Sequence, residues 1–351
     1  MWCKLRSVLI VFAAFGIGFF HAFGVLAAEK GNSASVSSPR YTNSGATKKK
    51  AVGNSEAGKR GGVTARKAVV SRVPAKSVVR TRDELRPAVK SGSVLVVEQG
   101  TGGALYQKNA TVVVPIASIT KLMTAMVVLD TTPDLQATIE ITDDDVDYLR
   151  GSRSRLNVGV SMTRETALLL ALMSSENRAA HALARHFPGG MPAFVAAMNQ
   201  KAQSLGMRDT HFEDPTGLTS SNVSTAYDLA KMVSAAYSYP LIREFSTTPE
   251  SVVDVAGRQL AFNNTNPLVK NASWDVGLSK TGYIHEAGKC LVMQARVADR
   301  PVVIVLLDSV GKLTRVGDAN RIKRWMEQAH ASRPVPPQAA AREEGSGIRP
   351  G

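Results

Sequence analysis

Residues Pro115–Leu129 read PIASITKLMTAMVVL. From Ala117 to Leu129 the stretch is apolar nearly all round, the pattern of a helix buried on every side. Ser118 and Lys121 break that pattern near its start. Residues three apart on a helix share a face, so this hydroxyl and this amine can meet. A serine hydroxyl attacks poorly until a base takes its proton. Lysine is such a base only when its pKa falls, through apolar surroundings or a second cation. Leu122, Met123, Met126 and Val127 supply the apolar surroundings, and Lys280 is a candidate second cation. The helix start offers unpaired N–H groups and a positive dipole end to a developing oxyanion.

Strands are expected on both sides of this helix. Ser93–Val97 reads as a strand, Gly100–Gly103 as a turn and Ala104–Gln107 as the return strand. From Pro133 to about Pro249 the pattern is mostly helical, with helices at Thr166–Met173, Asn177–Phe187, Met191–Leu205 and Thr225–Tyr237. Strand patterns return at Val252–Val255, Leu260–Phe262, Leu291–Val297 and Val302–Leu307, and Asp318–His330 reads as a closing helix. This order predicts a sheet built from both ends of the chain, with the helical block inserted as a lobe. The crevice between the two is the natural place for a site.

Two further motifs carry polar chemistry: Ser175-Glu176-Asn177, between two helices, and Lys280-Thr281-Gly282. Ser175 can pass a proton between Lys121 and a leaving amine. Asn177 is donor and acceptor at once, and so can bond both Lys121 and a substrate amide. Lys280 offers a fixed charge to a substrate carboxylate and Thr281 a hydroxyl to the same group. Gly282 lets a substrate backbone lie against the strand. The N–H of Tyr283 joins that of Ser118 as a candidate oxyanion donor. Ser309-Val310-Gly311-Lys312 and Ser220-Ser221-Asn222 match the first two patterns by spacing alone. The former runs into Gly311 rather than opening an apolar helix, and the latter lies in a turn-like loop.

The chain has 351 residues, 44% of them hydrophobic, and a formal net charge of +14. A charge of that size suggests a nucleic-acid or membrane partner. Its placement argues otherwise, because residues 29–80 hold twelve Lys or Arg against Glu29 and Glu56. Residues 29–85 are expected to be a disordered basic linker, a spacer or an electrostatic contact to anionic envelope components. Residues 1–28 read as a secretory signal, with Lys4 and Arg6 before the apolar run Val8–Phe20 and a small-residue cleavage site at Ala27-Ala28. Read instead as an uncleaved anchor, the segment still places the rest of the chain outside the cytoplasm. Removal of Cys3 with the signal leaves Cys290 without an intrachain disulfide partner.

The sequence resembles the low-molecular-mass penicillin-binding D-alanyl-D-alanine peptidases, closest to their DD-endopeptidase subgroup, over about residues 88–330. The likeness rests on Pro115–Leu122, Ser174–Ala180 (SSENRAA), Asp214–Leu218 (DPTGL), Ser224–Ala230 (STAYDLA) and Ser279–Gly288 (SKTGYIHEAG). The resemblance implies a two-lobed α/β fold of the β-lactamase/DD-peptidase type, an antiparallel sheet flanked by helices plus an all-helical lobe at about 133–250. It also implies that Ser118 is acylated by peptidoglycan stem peptides and by penicillins, that Lys121 takes its proton, that Ser175 relays protons and that Lys280 binds substrate. The catalytic domain is expected at 86–332, with a loose tail at 333–351. Carboxypeptidases of the family often carry an added C-terminal β-domain and an amphipathic anchor. Their absence here favours a soluble, exported endopeptidase. The alternatives are a carboxypeptidase, a serine β-lactamase and a non-catalytic basic envelope-binding protein. The β-lactamase reading lacks a deacylating Glu followed three residues later by Asn, since Leu168 follows Glu165 and Thr216 follows Glu213 at that spacing.

No cofactor and no metal are expected. His181 and His186 lie five apart and do not share a helix face. Asp143-Asp144-Asp145 reads as an acidic helix start rather than a calcium loop. Arg178 is a candidate loop anchor and His285 a candidate substrate contact.

Overall fold

A computed structural model describes residues 86–332, all within one unit spanning 75–351. The expected signal at 1–28, Cys3, the basic linker up to residue 85 and the tail at 333–351 lie outside the described residues.

In chain order, β1 (Ser93–Glu98) and β2 (Ala104–Lys108) form a hairpin, and β3 (Val114–Pro115) leads through a 3₁₀ turn, Ala117–Thr120, into α1 (Lys121–Asp130). The hairpin β4 (Thr138–Glu140) and β5 (Ser161–Thr163) precedes α2 (Arg164–Met173), α3 (Asn177–Arg185) and α4 (Gly190–Ser204). Then come β6 (Val223–Ser224), α5 (Ala226–Ala236) and α6 (Pro240–Thr247). The chain closes with β7 (Glu250–Val255), β8 (Arg258–Asn263), β9 (Asp275–Ile284), β10 (Gly288–Val297), β11 (Arg300–Ser309) and α7 (Thr314–Ala331).

The main sheet has the order β2-β1-β11-β10-β9, antiparallel throughout, so both chain ends build it. Side chains alternate across a strand. Leu95, Val97, Val303, Val305 and Leu307 therefore enter the core shared with the helices, and Val94, Val96, Val302, Ile304 and Leu306 enter a second core under α7. With both faces covered, the β11 run Val302–Leu307 is apolar without alternation. Buried Asp318 of α7 accepts from Lys90 N, Ser91 N and Ser91 Oγ, tying the closing helix to the entry into β1.

Three details differ from the pattern-based expectation. Ser118 sits in the 3₁₀ turn, and the α-helix opens only at Lys121, because Ala117 enters with φ +48 and sets a tighter first turn. Residues 250–263, expected as returning strands of the sheet, pair only with each other. Asp275–Ile284, whose strand character the pattern showed only around Lys280, is a full ten-residue edge strand.

Candidate active site

The 3₁₀ turn packs against β9, and no side chain fits between them. A Cβ on Gly282 would lie 2.9 Å from Ile116 O and 3.1 Å from Ser118 N. A Cβ on Gly217 would lie 2.0 Å from Ala117 O, and the φ of +79 there is itself a glycine conformation. The segment holding Ser118 is thus gripped between a strand and the loop 214–219.

Lys121 is 1% exposed. Its Nζ lies 2.9 Å from Ser118 Oγ, 2.7 Å from Asn177 Oδ1 and 2.8 Å from Thr216 O. A neutral amine has two N–H donors and one lone pair. Asn177 Oδ1 and the Thr216 carbonyl can only accept, so they take both donors and leave the lone pair aimed at the Ser118 hydroxyl. Burial pushes the Lys121 pKa down to about 7, against the pull of Asp214, Glu176 and Asp147. Lysine is therefore available as a base near neutral pH.

Asp214 holds the Thr216 carbonyl in place. Its carboxylate accepts from the backbone N–H groups of Thr216, Gly217 and Thr219 and from Thr216 Oγ1. Asn177 opens α3, and its Nδ2 donates to Ser152 Oγ at 2.9 Å, leaving one amide hydrogen for another partner. Ser175, just before that helix, has φ +63, a strained conformation for a residue with a side chain. Its Oγ accepts from Lys280 Nζ at 2.8 Å. Among the described residues no hydrogen bond joins Ser175 to Lys121.

Lys280 is also 1% exposed, and its Nζ donates besides to Thr281 O at 3.0 Å. The expected anchor for a substrate carboxylate is thus a buried amine. Burial, with Lys121 and Arg315 nearby, holds its pKa well below the lysine range. Thr281 Oγ1 bonds Thr265 Oγ1 at 2.7 Å. Tyr283 is 57% exposed, with Lys289 Nζ 3.8 Å from its ring centre, and its side chain stands outside the hydrogen-bonded set. The hydrogen bonds thus bring together Ser118, Lys121 and Asn177 on one side and Ser175 and Lys280 on the other, with Gly282 against the nucleophile's backbone.

Sequence reasoning assigned no role to the Thr216 carbonyl, Asp214, Gly217, Ser152 or Arg315. The motif Asp214–Leu218 was the only signal for the first three. Arg315, at the start of α7, donates to Gly282 O at 2.9 Å and Cys290 O at 3.0 Å and so braces β9 from behind. Arg178 anchors the preceding loop through Leu156 O at 2.8 Å. Asp145 accepts at the start of its 3₁₀ turn and meets His181 and Arg185, each at 2.8 Å. His285 is exposed beyond the end of β9. No cluster among the described residues is suited to hold a metal ion. A cavity of about 320 Å³ near Val127, Phe187 and Lys201 lies toward the far end of α1 and holds none of these groups.

Residues 80–311 match the family model described as D-alanyl-D-alanine carboxypeptidase. A D-alanyl-D-alanine endopeptidase of Pseudomonas aeruginosa is 50% identical over 245 residues, 69% of this chain and 79% of that protein. The protein of that name from Escherichia coli is 45% identical over 256 residues, 72% of this chain and 82% of the relative. The crystal structure of the Streptomyces K15 DD-transpeptidase superposes with TM-score 0.64 at 30% identity, covering 68% of this chain and 98% of that one.

Proposed function

Because the chain belongs to the D-alanyl-D-alanine carboxypeptidase family of penicillin-binding serine peptidases, we propose that it is an endopeptidase that hydrolyses D-alanyl cross-links in peptidoglycan through an acyl-enzyme on Ser118. The observation that carries the assignment is Lys121, a buried amine 2.9 Å from Ser118 Oγ whose other partners, Asn177 Oδ1 and Thr216 O, only accept, so that its neutral form keeps the lone pair for Ser118. Ser118 Oγ attacks the D-alanyl carbonyl carbon and gives its proton to Lys121 Nζ. The N–H groups of Ser118 and Tyr283 receive the oxyanion. The intermediate expels the amine of the second stem peptide, which takes a proton from Lys121 by way of Ser175 and Lys280. Water then enters, Lys121 takes one of its protons, and the ester opens to free acid and serine.

The substrate backbone pairs along the free edge of β9, held by strand hydrogen bonds. Asn177 donates its remaining amide hydrogen to a substrate carbonyl. The leaving-side carboxylate meets Lys280 and Thr281, and its arrival favours the charged form of Lys280. Catalysis belongs to residues 86–332. The enzyme acts outside the cytoplasm, where its substrate lies, and among the described residues no helix is long and apolar enough to cross a membrane. The basic segment 29–85 contacts anionic envelope components, and deleting it should lower wall association.

Labelled penicillin tests the central claim. Stable covalent labelling that disappears in Ser118→Ala is expected, and labelling that survives there overturns the nucleophile assignment. Digestion of cross-linked peptidoglycan should turn dimeric stem peptides into monomers. Release of free D-alanine alone would make the enzyme a carboxypeptidase.

A further inference from the structure

Lys121 has its lone pair free only while one end of the Asn177 amide faces it. Oδ1 accepts from Lys121 Nζ at 2.7 Å, so the amine uses a donor there and keeps its lone pair for Ser118. Turned over, Asn177 would present Nδ2 instead. An amide N–H donates into the lone pair of a neutral amine and competes with the Ser118 hydroxyl for it. The oxygen and the NH2 group are nearly the same size, so packing does not choose between them. The hydrogen-bond partners do.

The choice is made in the loop between β4 and β5, which holds Asp147 and Ser152. Asn177 Nδ2 donates to Ser152 Oγ at 2.9 Å. A serine hydroxyl by itself does not discriminate, since it donates as readily as it accepts. Here the Ser152 hydroxyl is hydrogen-bonded to the Asp147 carboxylate. An ionised carboxylate only accepts, so the hydroxyl hydrogen goes to Asp147 and Oγ is left to accept from Asn177. The carboxylate is itself fixed. Its Oδ1 accepts from Leu149 N at 3.0 Å and Arg150 N at 2.9 Å, and its Oδ2 from Ser152 N at 2.9 Å. Against partial burial, the Ser152 hydroxyl and these N–H groups hold the Asp147 carboxyl below the usual carboxylate range. A charged acceptor at one end of the chain thus sets the direction of every hydrogen bond up to Lys121.

We propose that Asp147 and Ser152 are positioning residues for acylation: the carboxylate orients the serine hydroxyl, and the hydroxyl locks the Asn177 amide with its oxygen toward Lys121. The lock serves the attack by Ser118 proposed above and rests on it. The same lock aims the second amide hydrogen at a substrate carbonyl, where a reversed amide would set oxygen against oxygen.

The lock has a signature in pH. Lys121 is faced by the carboxylates of Asp214, Glu176 and Asp147 and lies near Lys280. Protonated, it has a donor for each of Ser118 Oγ, Asn177 Oδ1 and Thr216 O. Exchanging Oδ1 for an N–H removes one acceptor and disfavours the ammonium form. Loss of the lock therefore slows acylation while moving its pH midpoint down. Opening of the loop to water would do the reverse, carrying Lys121 up toward the ordinary lysine range.

The test measures acylation of the full chain by labelled penicillin across pH. Ser152→Ala is expected to lower the plateau rate about tenfold, roughly the worth of one hydrogen bond. Its midpoint falls below the wild-type value, and Ser152→Thr, which keeps the hydroxyl, restores both. Asp147→Asn can donate to Ser152 and so frees its hydroxyl hydrogen for Asn177; the plateau falls there too. In an Asn177→Ala background neither change lowers the rate further, because residues acting through a shared partner are not additive. An unchanged rate in Ser152→Ala, a midpoint that moves up, or full losses in the Asn177→Ala background overturn the lock alone. A wild type that penicillin does not label overturns the Ser118–Lys121 reading and the lock with it.

Discussion

The cleft holds two serine–lysine pairs of nearly equal length, 2.9 Å between Ser118 Oγ and Lys121 Nζ and 2.8 Å between Ser175 Oγ and Lys280 Nζ. Both lysines are buried to the same degree, and burial lowers both pKa values. Their neighbours differ. Lys121 has two acceptors besides its serine, and three carboxylates that partly restore its proton affinity. Lys280 has cations beside it, Lys121 and Arg315, which lower its affinity further. The first pair is set for taking a proton near neutral pH. In the second the charged form is disfavoured, and an arriving anion favours it. Distance alone does not separate a base from a relay; the surrounding charges and acceptors do.

The sharpest way to break this comparison is to remove each amine. Lys121→Ala should lower penicillin acylation about 10³-fold or more, within the range for loss of a positioned base, while the variant still melts cooperatively. Lys280→Ala should mainly weaken capture of carboxylate-bearing substrates and cost acylation less. Equal losses in the two variants would erase the distinction. A milder break leaves every polar group in place. In Gly217→Ala the new Cβ would collide with Ala117 O, forcing Ser118 and the Thr216 carbonyl apart. Acylation should then fall about 10²-fold, as for a displacement of about 1 Å, with Lys121 untouched.

Titration sharpens the comparison with the smallest effect. Penicillin acylation should rise with pH through about 7 and then level off, as Lys121 loses its proton. The folded pKa is depressed below the ordinary lysine value, so between about 7 and 10.5 the unfolded chain binds the extra proton. Stability attributable to Lys121 is therefore full above the upper value, declines as pH falls and is flat below about 7. Unfolding of wild type and Lys121→Met should diverge by about 1.4 kcal/mol per pH unit inside that window, and removing Lys121 also relieves Lys280, so the divergence includes a share from Lys280. Parallel curves would mean that Lys121 titrates as an ordinary lysine.

How far the sequence could be read follows the same division. Ser118 and Lys121 are three residues apart, and helical periodicity alone places them together. Ser175 and Lys280 are joined across 105 positions, so only the motif set suggested a common cleft. The Thr216 carbonyl leaves no residue-type signature, because every residue has one. That both ends of the chain build the sheet followed from β-branched runs near each end; the order of its strands did not. The edge strand β9 was half hidden, since Lys280, Thr281 and Gly282 interrupt its apolar pattern for the sake of the cleft. The β7–β8 hairpin carries a strand pattern of the same kind, and nothing local says which partner it will choose.

The antiparallel pairing of β1 with β11, Val94 opposite Leu306, has a consequence in time. The nucleophile is encoded early, but the strand that grips its backbone and the helix that braces this strand come from the last third of the chain. A chain made only as far as α1 lacks Asn177, Thr216 and Gly282, the partners of Lys121 and of the Ser118 backbone. Such long-range closure is slow and raises the barrier to folding. The hydrolase is thus latent during synthesis, and its reactivity switches on only when the two ends meet.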